Sequence, residues 1–404
     1  MEGVMEGVHE NRTVKYRLVA EAVKGNPDIS DTEFEELLNR TILDGKTPVN
    51  ECREISNWIR YRMRSKLGIL EPFIRDEKVS EVMVNGYGEI FTERADGIRR
   101  EDAVFESQEE LEEIMRNIAA SVHREINELN PILDARLPDG SRVNAVFGNI
   151  SLDGASLTVR KFSKEHISIA TMTKSGTLTR ECGDFLKMLV RAGYNIFISG
   201  GTSSGKTTFL NALSDYIPRE ERVIVIEDSR ELDLSQIENI VQMECRNSNT
   251  LGKGKVSMDM LIRTSLRMRP DRIIVGEVRG KEVADMLQAM NTGHDGSMST
   301  GHGNSAEGML RRLETMYLMS AELPIDTIRA QIIEGMDIFV HLGRFCDGRR
   351  KVMEVQELTG FKAGNYLLNP LFALNKDKEL VSTGNELINT QKLMLRTPTE
   401  SVRL

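Results

Sequence analysis

The 404-residue sequence has no paired cysteines: Cys52, Cys182, Cys245 and Cys346 stand far apart and form no CxxC. That spacing excludes a cysteine zinc module and points to thiols kept reduced, as in cytoplasm. Long apolar runs are missing too, none approaching the roughly 18 residues of a membrane span. The acidic start, MEGVMEGVHE, is no secretory signal peptide. Nor is there a basic excess. The formal net charge of −9 argues against a dedicated nucleic-acid binder. Hydrophobic residues at 40% and charged residues at 28% describe an ordinary globular protein, long enough for two or three buried cores. The expectation is a soluble, intracellular protein.

What is present changes texture along the chain. Residues 1–65 are charged and helix-like, with Phe34, Leu37, Leu38 and Ile42 spaced as one helical face. Residues 66–165 alternate short apolar runs with turns and are expected to form a small α/β domain. There EVMVNGYGEIFTERADGIRRE reads as a hairpin about Asn85-Gly86 with a second turn at Asp96-Gly97. SQEELEEIMRNIAASVHREI reads as a helix with Ser107 and Glu110 as a capping box. LPDGSRVNAVF and ASLTVRKF read as strands around a Pro-Asp-Gly turn. The polar stretch 166–180 is expected to be an interdomain linker. From 181 to 404 the pattern is α/β, and the unbroken runs NIFIS, RVIVI and DRIIV suit a parallel sheet covered on both faces. Arg263 and Arg267 fall off the apolar stripe Met258, Leu261, Ile262 and Leu266, on a solvated helix face.

Gly200-Gly201-Thr202-Ser203-Ser204-Gly205-Lys206-Thr207 fits the phosphate-binding pattern GxxxxGK[ST], between the strand NIFIS and the helix TTFLNALSDYI that opens at Thr207 and Thr208. Glycines let backbone N–H groups turn inward onto phosphate oxygens at a helix N-terminus. Lys206 is expected to reach the β- and γ-phosphates and Thr207 to hold Mg²⁺. Hydrolysis further requires carboxylates near the γ-phosphate. Two apolar strands end in acids, one at Glu227-Asp228 and one at Glu277, where a parallel sheet binds its ligands.

Residues 291–305, NTGHDGSMSTGHGNS, have four glycines and only Met298 as a large apolar residue, a poor core composition. The spacing of His294 and His302 matches no common zinc site. A polar loop whose Thr300 and His302 sense phosphate fits better than a glycine linker. Arg349-Arg350-Lys351, beside Asp347-Gly348, reads as a solvated hairpin tip.

Taken together, GGTSSGKTT, IEDSRELDL, RMRPDRIIVGEVRG and NTGHDGSMSTGHGNS resemble the secretion (traffic) ATPases of type II and type IV secretion and type IV pili. That family carries a Walker A loop, an Asp box, a Walker B strand ending in glutamate and a His box, in this chain order. EVMVNG, DARLPDGSRVNAV and LTVRKF are similar to the CpaF/TadA branch, which drives tight-adherence (Flp-type) pili. The resemblance covers about residues 60–360 and departs from members that carry a tetracysteine zinc module. It implies a RecA-like P-loop core with a parallel twisted sheet, preceded by a smaller mixed α/β domain and a helical N-terminal extension. ATP and Mg²⁺ are the implied ligands, with Gly200–Thr208 cradling phosphates and Thr207 and Glu277 at the metal. Glu227 would polarise the attacking water and Glu277 organise Mg²⁺, although the two roles are exchangeable. His302 would face the γ-phosphate, and His294 is a second residue of the same motif. Arg136, Arg142 and Arg160 would reach a nucleotide across an interface, although each can instead be an ordinary surface arginine. Arg279 would form an ion pair between elements. A homo-hexameric ring on the cytoplasmic face of the inner membrane, acting on a membrane platform protein without zinc or nucleic acid, completes the expectation.

Overall fold

Phe34, Leu38 and Ile42 recur about one helical turn apart, and this stripe closes the first elements of the chain. Helices α1 (Glu2–Gly25), α2 (Asp31–Ile42) and α3 (Val49–Arg64) pack around them with Val19, Ile55 and Ile59. Ser30 caps α2 in a full capping box with Glu33. Two guanidiniums, those of Arg12 and Arg62, stack on Trp58 at 4.5 and 4.6 Å from its ring centre. The computed structural model describes residues 2–396 apart from 27, 44–46, 95, 138, 163–166, 247 and 249–252. Pro138, expected in a turn, therefore lies outside the described residues.

The chain divides into two units, Met1–Ser163 and Lys164–Leu404. After the helical part, the first unit continues with α4 (Glu71–Arg75), β1 (Val79–Asn85), β2 (Glu89–Arg94), β3 (Gly97–Glu101), α5 (Gln108–Ser121), β4 (Ile132–Arg136), β5 (Arg142–Val146) and β6 (Ser156–Arg160). The six strands form an antiparallel sheet in the order β3-β2-β1-β6-β5-β4. Period-two alternation sends Val82, Val84, Leu157, Val159, Val143 and Ala145 to one face, where Leu111, Ile114, Met115 and Ile118 of α5 cover them. The helix stops at Ser121, short of the sequence expectation.

The second unit holds α6 (Ile169–Lys174), α7 (Arg180–Arg191), β7 (Ile196–Gly200), α8 (Lys206–Ser214), β8 (Val223–Glu227), β9 (Ile240–Glu244), α9 (Met258–Ser265), β10 (Arg272–Val275), α10 (Glu282–Asn291) and β11 (Met298–His302). It ends with α11 (Ala306–Leu318), α12 (Ile325–Gly335), β12 (Ile338–Arg344), β13 (Arg350–Lys362), β14 (Asn365–Leu374), β15 (Leu380–Ser382) and α13 (Gln391–Arg396). Nine strands run in the order β15-β14-β13-β12-β7-β11-β10-β8-β9, with β12 through β9 parallel and the β13–β15 side antiparallel. Alternate residues of a buried strand feed opposite faces. Ile196 and Ile198 join the core with α7 and α8, while Phe197 joins the core with α9–α12. Val223 and Val225 divide from Ile224 and Ile226 in the same way.

Two sequence expectations differ here. The stretch 166–180 holds α6, capped by Ser168, which buries Ile169 and Met172 in the core of the second unit. Its polar residues hid a short amphipathic helix. The second difference is β11. Residues 298–301 are fully buried in the middle of the sheet, hydrogen bonded between β7 and β10. Small residues are required there because bulky ones pack over them: a Cβ on Gly301 would stand 2.9 Å from Phe197 Cζ and 3.0 Å from Met309 Cε. A loop-like composition thus encodes a central strand.

Candidate functional site

β7 is flanked by β12 and β11, strands far from it in sequence on both sides, and its carboxyl end opens a crevice of the kind that binds ligands. Gly200 ends the strand and Gly201–Gly205 wrap to the first residue of α8, Lys206. Gly205, the N-cap residue, has φ 92°, a left-handed conformation that glycine adopts without steric penalty. Ser203 is also left-handed at φ 57°. A Cβ on Gly200 would lie 2.5 Å from both Leu342 O and Ser204 Oγ, so strand and loop approach too closely for any side chain. Ser204 Oγ is buried with no hydrogen-bond partner among the described residues. Gly200→Ala is therefore expected to destabilise the protein by about 1–3 kcal/mol through overpacking and to weaken nucleotide binding. Thermal melting and nucleotide titration of the variant check this; wild-type values in both would contradict the close fit.

Lys206 is almost completely buried. Its Nζ donates to Gly201 O at 2.9 Å and Gly200 O at 3.2 Å, and lies 3.3 Å from His302 Nδ1. An ammonium only donates, so His302 Nδ1 accepts and the ring proton sits on Nε2. Nε2 in turn donates to Glu277 Oε1 at 3.1 Å. The same oxygen accepts from Arg279 Nε at 3.0 Å, and Arg279 also approaches Asp228 at 3.7 Å. Lysine, histidine, glutamate and arginine thus form one continuous chain across the carboxyl ends of β7, β11 and β10. Burial, then the charge of Lys206, lowers the His302 pKa against the pull of Glu277, which favours a neutral imidazole. Burial likewise lowers the Lys206 pKa, with Glu277 opposing.

Glu227 is buried at the end of β8, where its Oε1 accepts from the backbone N–H of Glu231 at 2.8 Å and Leu232 at 3.1 Å. One of its oxygens is thus committed to shaping the turn after β8. Thr207 follows Lys206 on α8 and is half-buried. Thr300, expected to sense phosphate, is fully buried and donates to Gly276 O at 2.7 Å, bracing the residue before Glu277. His294 precedes β11 while His302 ends it. Four steps of roughly 3.3 Å each separate the two ends of the strand. His294 Nδ1 lies 3.0 Å from Ala289 O, so it belongs to the turn after α10 and not to the phosphate-binding end.

Three residues escaped the sequence reading. Asn304 and Arg312 line, with Thr202 and His302, a cavity of about 470 Å³ beside the loop. Arg312 lies on α11 and its sequence signal was an ordinary exposed helical arginine. The third is Arg350, whose Nε donates to Ser203 O at 3.0 Å. The basic tip is therefore not wholly solvated; this arginine buttresses the loop between β7 and α8.

In the first unit, Arg136 pairs with Arg142 across β4 and β5, and Arg142 pairs with Arg160 across β5 and β6. Cross-strand partners share a face, so the three arginines form one row on the side of the sheet away from α5. On the next strand Glu81 stands opposite Arg160, so the row ends against an acid.

The donor set suits a magnesium polyphosphate. Thr207 and Glu277 offer the hard oxygen ligands Mg²⁺ prefers, next to a glycine cradle and a buried ammonium. Comparisons with known proteins give the family. A family model described as Type II/IV secretion system protein matches residues 64–363. The chain is 33% identical over 323 residues to a type IV secretion system protein, the PtlH homolog of Bordetella bronchiseptica, covering 74% of this chain and 95% of that one. It is 43% identical over 246 residues to an uncharacterized protein of Methanocaldococcus jannaschii, covering 59% of this chain but only 34% of that relative's length. Among solved structures, the ATPase DotB of Legionella pneumophila shares the fold, with a TM-score of 0.53 at 20% identity over 72% of this chain and 79% of that one. With a glycine-rich loop, acid-tipped strands and a strand-borne histidine in one RecA-like unit, and a family match over most of its length, the chain belongs to the type II/IV secretion system protein family.

Proposed function

We propose that the protein is an ATP-hydrolysing ring motor that powers assembly or retraction of a type IV or Flp-type pilus, or a related secretion system, from the cytoplasmic side of a membrane. The observation that carries this reading is the unbroken contact from Lys206 through His302 to Glu277. It joins the group that would bind the terminal phosphates to the carboxylate that would govern hydrolysis. Thr207 and Glu277 would hold Mg²⁺, which when bound would supply positive charge against the phosphates. Lys206 would turn from the carbonyls of Gly200 and Gly201 to the phosphate oxygens, and His302 would report the change to Glu277. Glu227 or Glu277 would orient the attacking water. Arg136, Arg142 and Arg160 would meet the nucleotide of a neighbouring copy in a hexamer, where cations in trans stabilise the developing charge. No helix among the described residues is long and apolar enough to cross a membrane, so force would reach the membrane through a platform protein.

A second reading, a conjugation or type IV secretion ATPase, is favoured by the likeness to the Bordetella type IV secretion system protein and to a probable conjugal transfer protein of Sinorhizobium fredii. A DNA translocase is a third. ATP turnover by the purified protein, measured alone, with single-stranded DNA and with a candidate pilus platform protein, separates them. Turnover raised by the platform protein supports the motor. Stimulation by DNA alone would favour a translocase, and absence of turnover under all three conditions would refute the enzyme.

A further inference from the structure

β12 runs parallel to β7 and pairs Leu342 with Gly200, so the turn beyond β12 overhangs the phosphate-binding loop. Arg344 and Arg350 stand opposite each other where the chain returns in β13. The neighbours of Arg350 are engaged locally: Arg349 with Asp347, and Lys351 with Lys378 O. Arg350 instead crosses to the loop. Its Nε bonds Ser203 O at 3.0 Å, and its Cδ lies 3.3 Å from where a Cβ on Gly205 would stand. The side chain therefore lies along the loop from Ser203 to Gly205. That bond uses one of the five N–H donors of the guanidinium, and the Arg350 side chain makes no other hydrogen bond or ion pair among the described residues.

Strand order indicates which end of a ligand this arginine meets. In the sequence β13-β12-β7-β11-β10, His302 and Glu277 lie on one side of β7 and Arg350 on the other. A nucleotide with its terminal phosphate at Lys206, His302 and Glu277 would extend toward the β12–β13 turn with its base. A guanidinium anchored through Nε keeps a fixed plane, the geometry that stacks on a heteroaromatic ring. We propose that Arg350 is a nucleotide-binding residue that holds the base of bound ATP while bracing the loop through Ser203. The inference rests on the reading of this crevice as an ATP site.

The test compares equilibrium binding of ATP, ADP and inorganic tripolyphosphate, each with Mg²⁺, to the full chain and to R350A, R350K and K206A. R350A is expected to weaken ATP and ADP by the same factor, about tenfold, the scale of one cation–π or charge-assisted contact. Tripolyphosphate, which has no base, should lose only what the brace on Ser203 contributes, a clearly smaller factor than ATP loses. R350K keeps the charge but loses the plane, and its ATP affinity should stay reduced. Equal loss of tripolyphosphate binding would reduce Arg350 to a loop brace and overturn the proposal. So would unchanged ATP affinity in R350A, or full recovery in R350K. Failure of the underlying reading looks different: wild type would bind none of the three ligands, or K206A would bind all of them normally.

Discussion

Lys206→Ala is expected to abolish ATP turnover and to erase the thermal stabilisation that ATP confers, while leaving the ligand-free fold nearly as stable as wild type. The side chain is almost completely buried, with two carbonyl oxygens and an imidazole nitrogen as its hydrogen-bond partners. Burial lowers its pKa even though Glu277 favours the charge. An ammonium held this way is under-compensated, and a polyphosphate is the ligand that compensates it. Alanine removes that attraction together with the desolvation penalty, which is why the empty protein should not suffer greatly. A ligand at a hundredfold excess over its Kd stabilises by about 2.7 kcal/mol. Differential scanning calorimetry with and without Mg-ATP reads that term directly. A normal ATP-induced shift in the variant would remove Lys206 from the binding site.

The second large effect is expected at Glu277. Glu277→Gln keeps an oxygen that can accept from both His302 Nε2 and Arg279 Nε but discards the negative charge. Geometry is preserved and electrostatics are not. ATP should still bind within a few-fold of wild type, while kcat falls by roughly 10²–10³, the scale for losing one preorganised electrostatic group. Single-turnover measurements with labelled ATP separate the two effects. Hydrolysis at the wild-type rate would transfer the catalytic role to Glu227. That carboxylate has one oxygen bound to the N–H groups of Glu231 and Leu232, so its amide variant should disturb the turn as well as the chemistry.

Much of the site was legible because its chemistry is local in sequence. The phosphate loop needs glycine where φ is positive, at Gly205, and where no Cβ fits, at Gly200, and both requirements leave a visible pattern. The acids at Glu227 and Glu277 were readable because buried parallel strands are unbroken apolar runs that a carboxylate ends sharply. The fold of β11 was not legible, because its smallness answers Phe197 and Met309, which are close only after folding. The helix α6 was missed for a related reason: its two core residues, Ile169 and Met172, are too few to set a period among polar neighbours. Arg350 reads as surface charge until the parallel pairing of β12 with β7 carries its hairpin over the loop. The cross-strand row of Arg136, Arg142 and Arg160 likewise depends on register, which no single segment displays.

The placement of His302 at the end of β11 has an entropic consequence. Ordering one backbone residue of a free loop costs about 1–2 kcal/mol. A histidine on a glycine loop would meet that cost each time ligand arrived, and the loss would come out of binding affinity. His302 is already fixed by pairing with Gly200 on β7, the residue from which the proposed phosphate cradle begins. Its ordering was completed when the sheet folded. Histidine and cradle are therefore registered to each other before any ligand comes, and ligand arrival need only rearrange side chains.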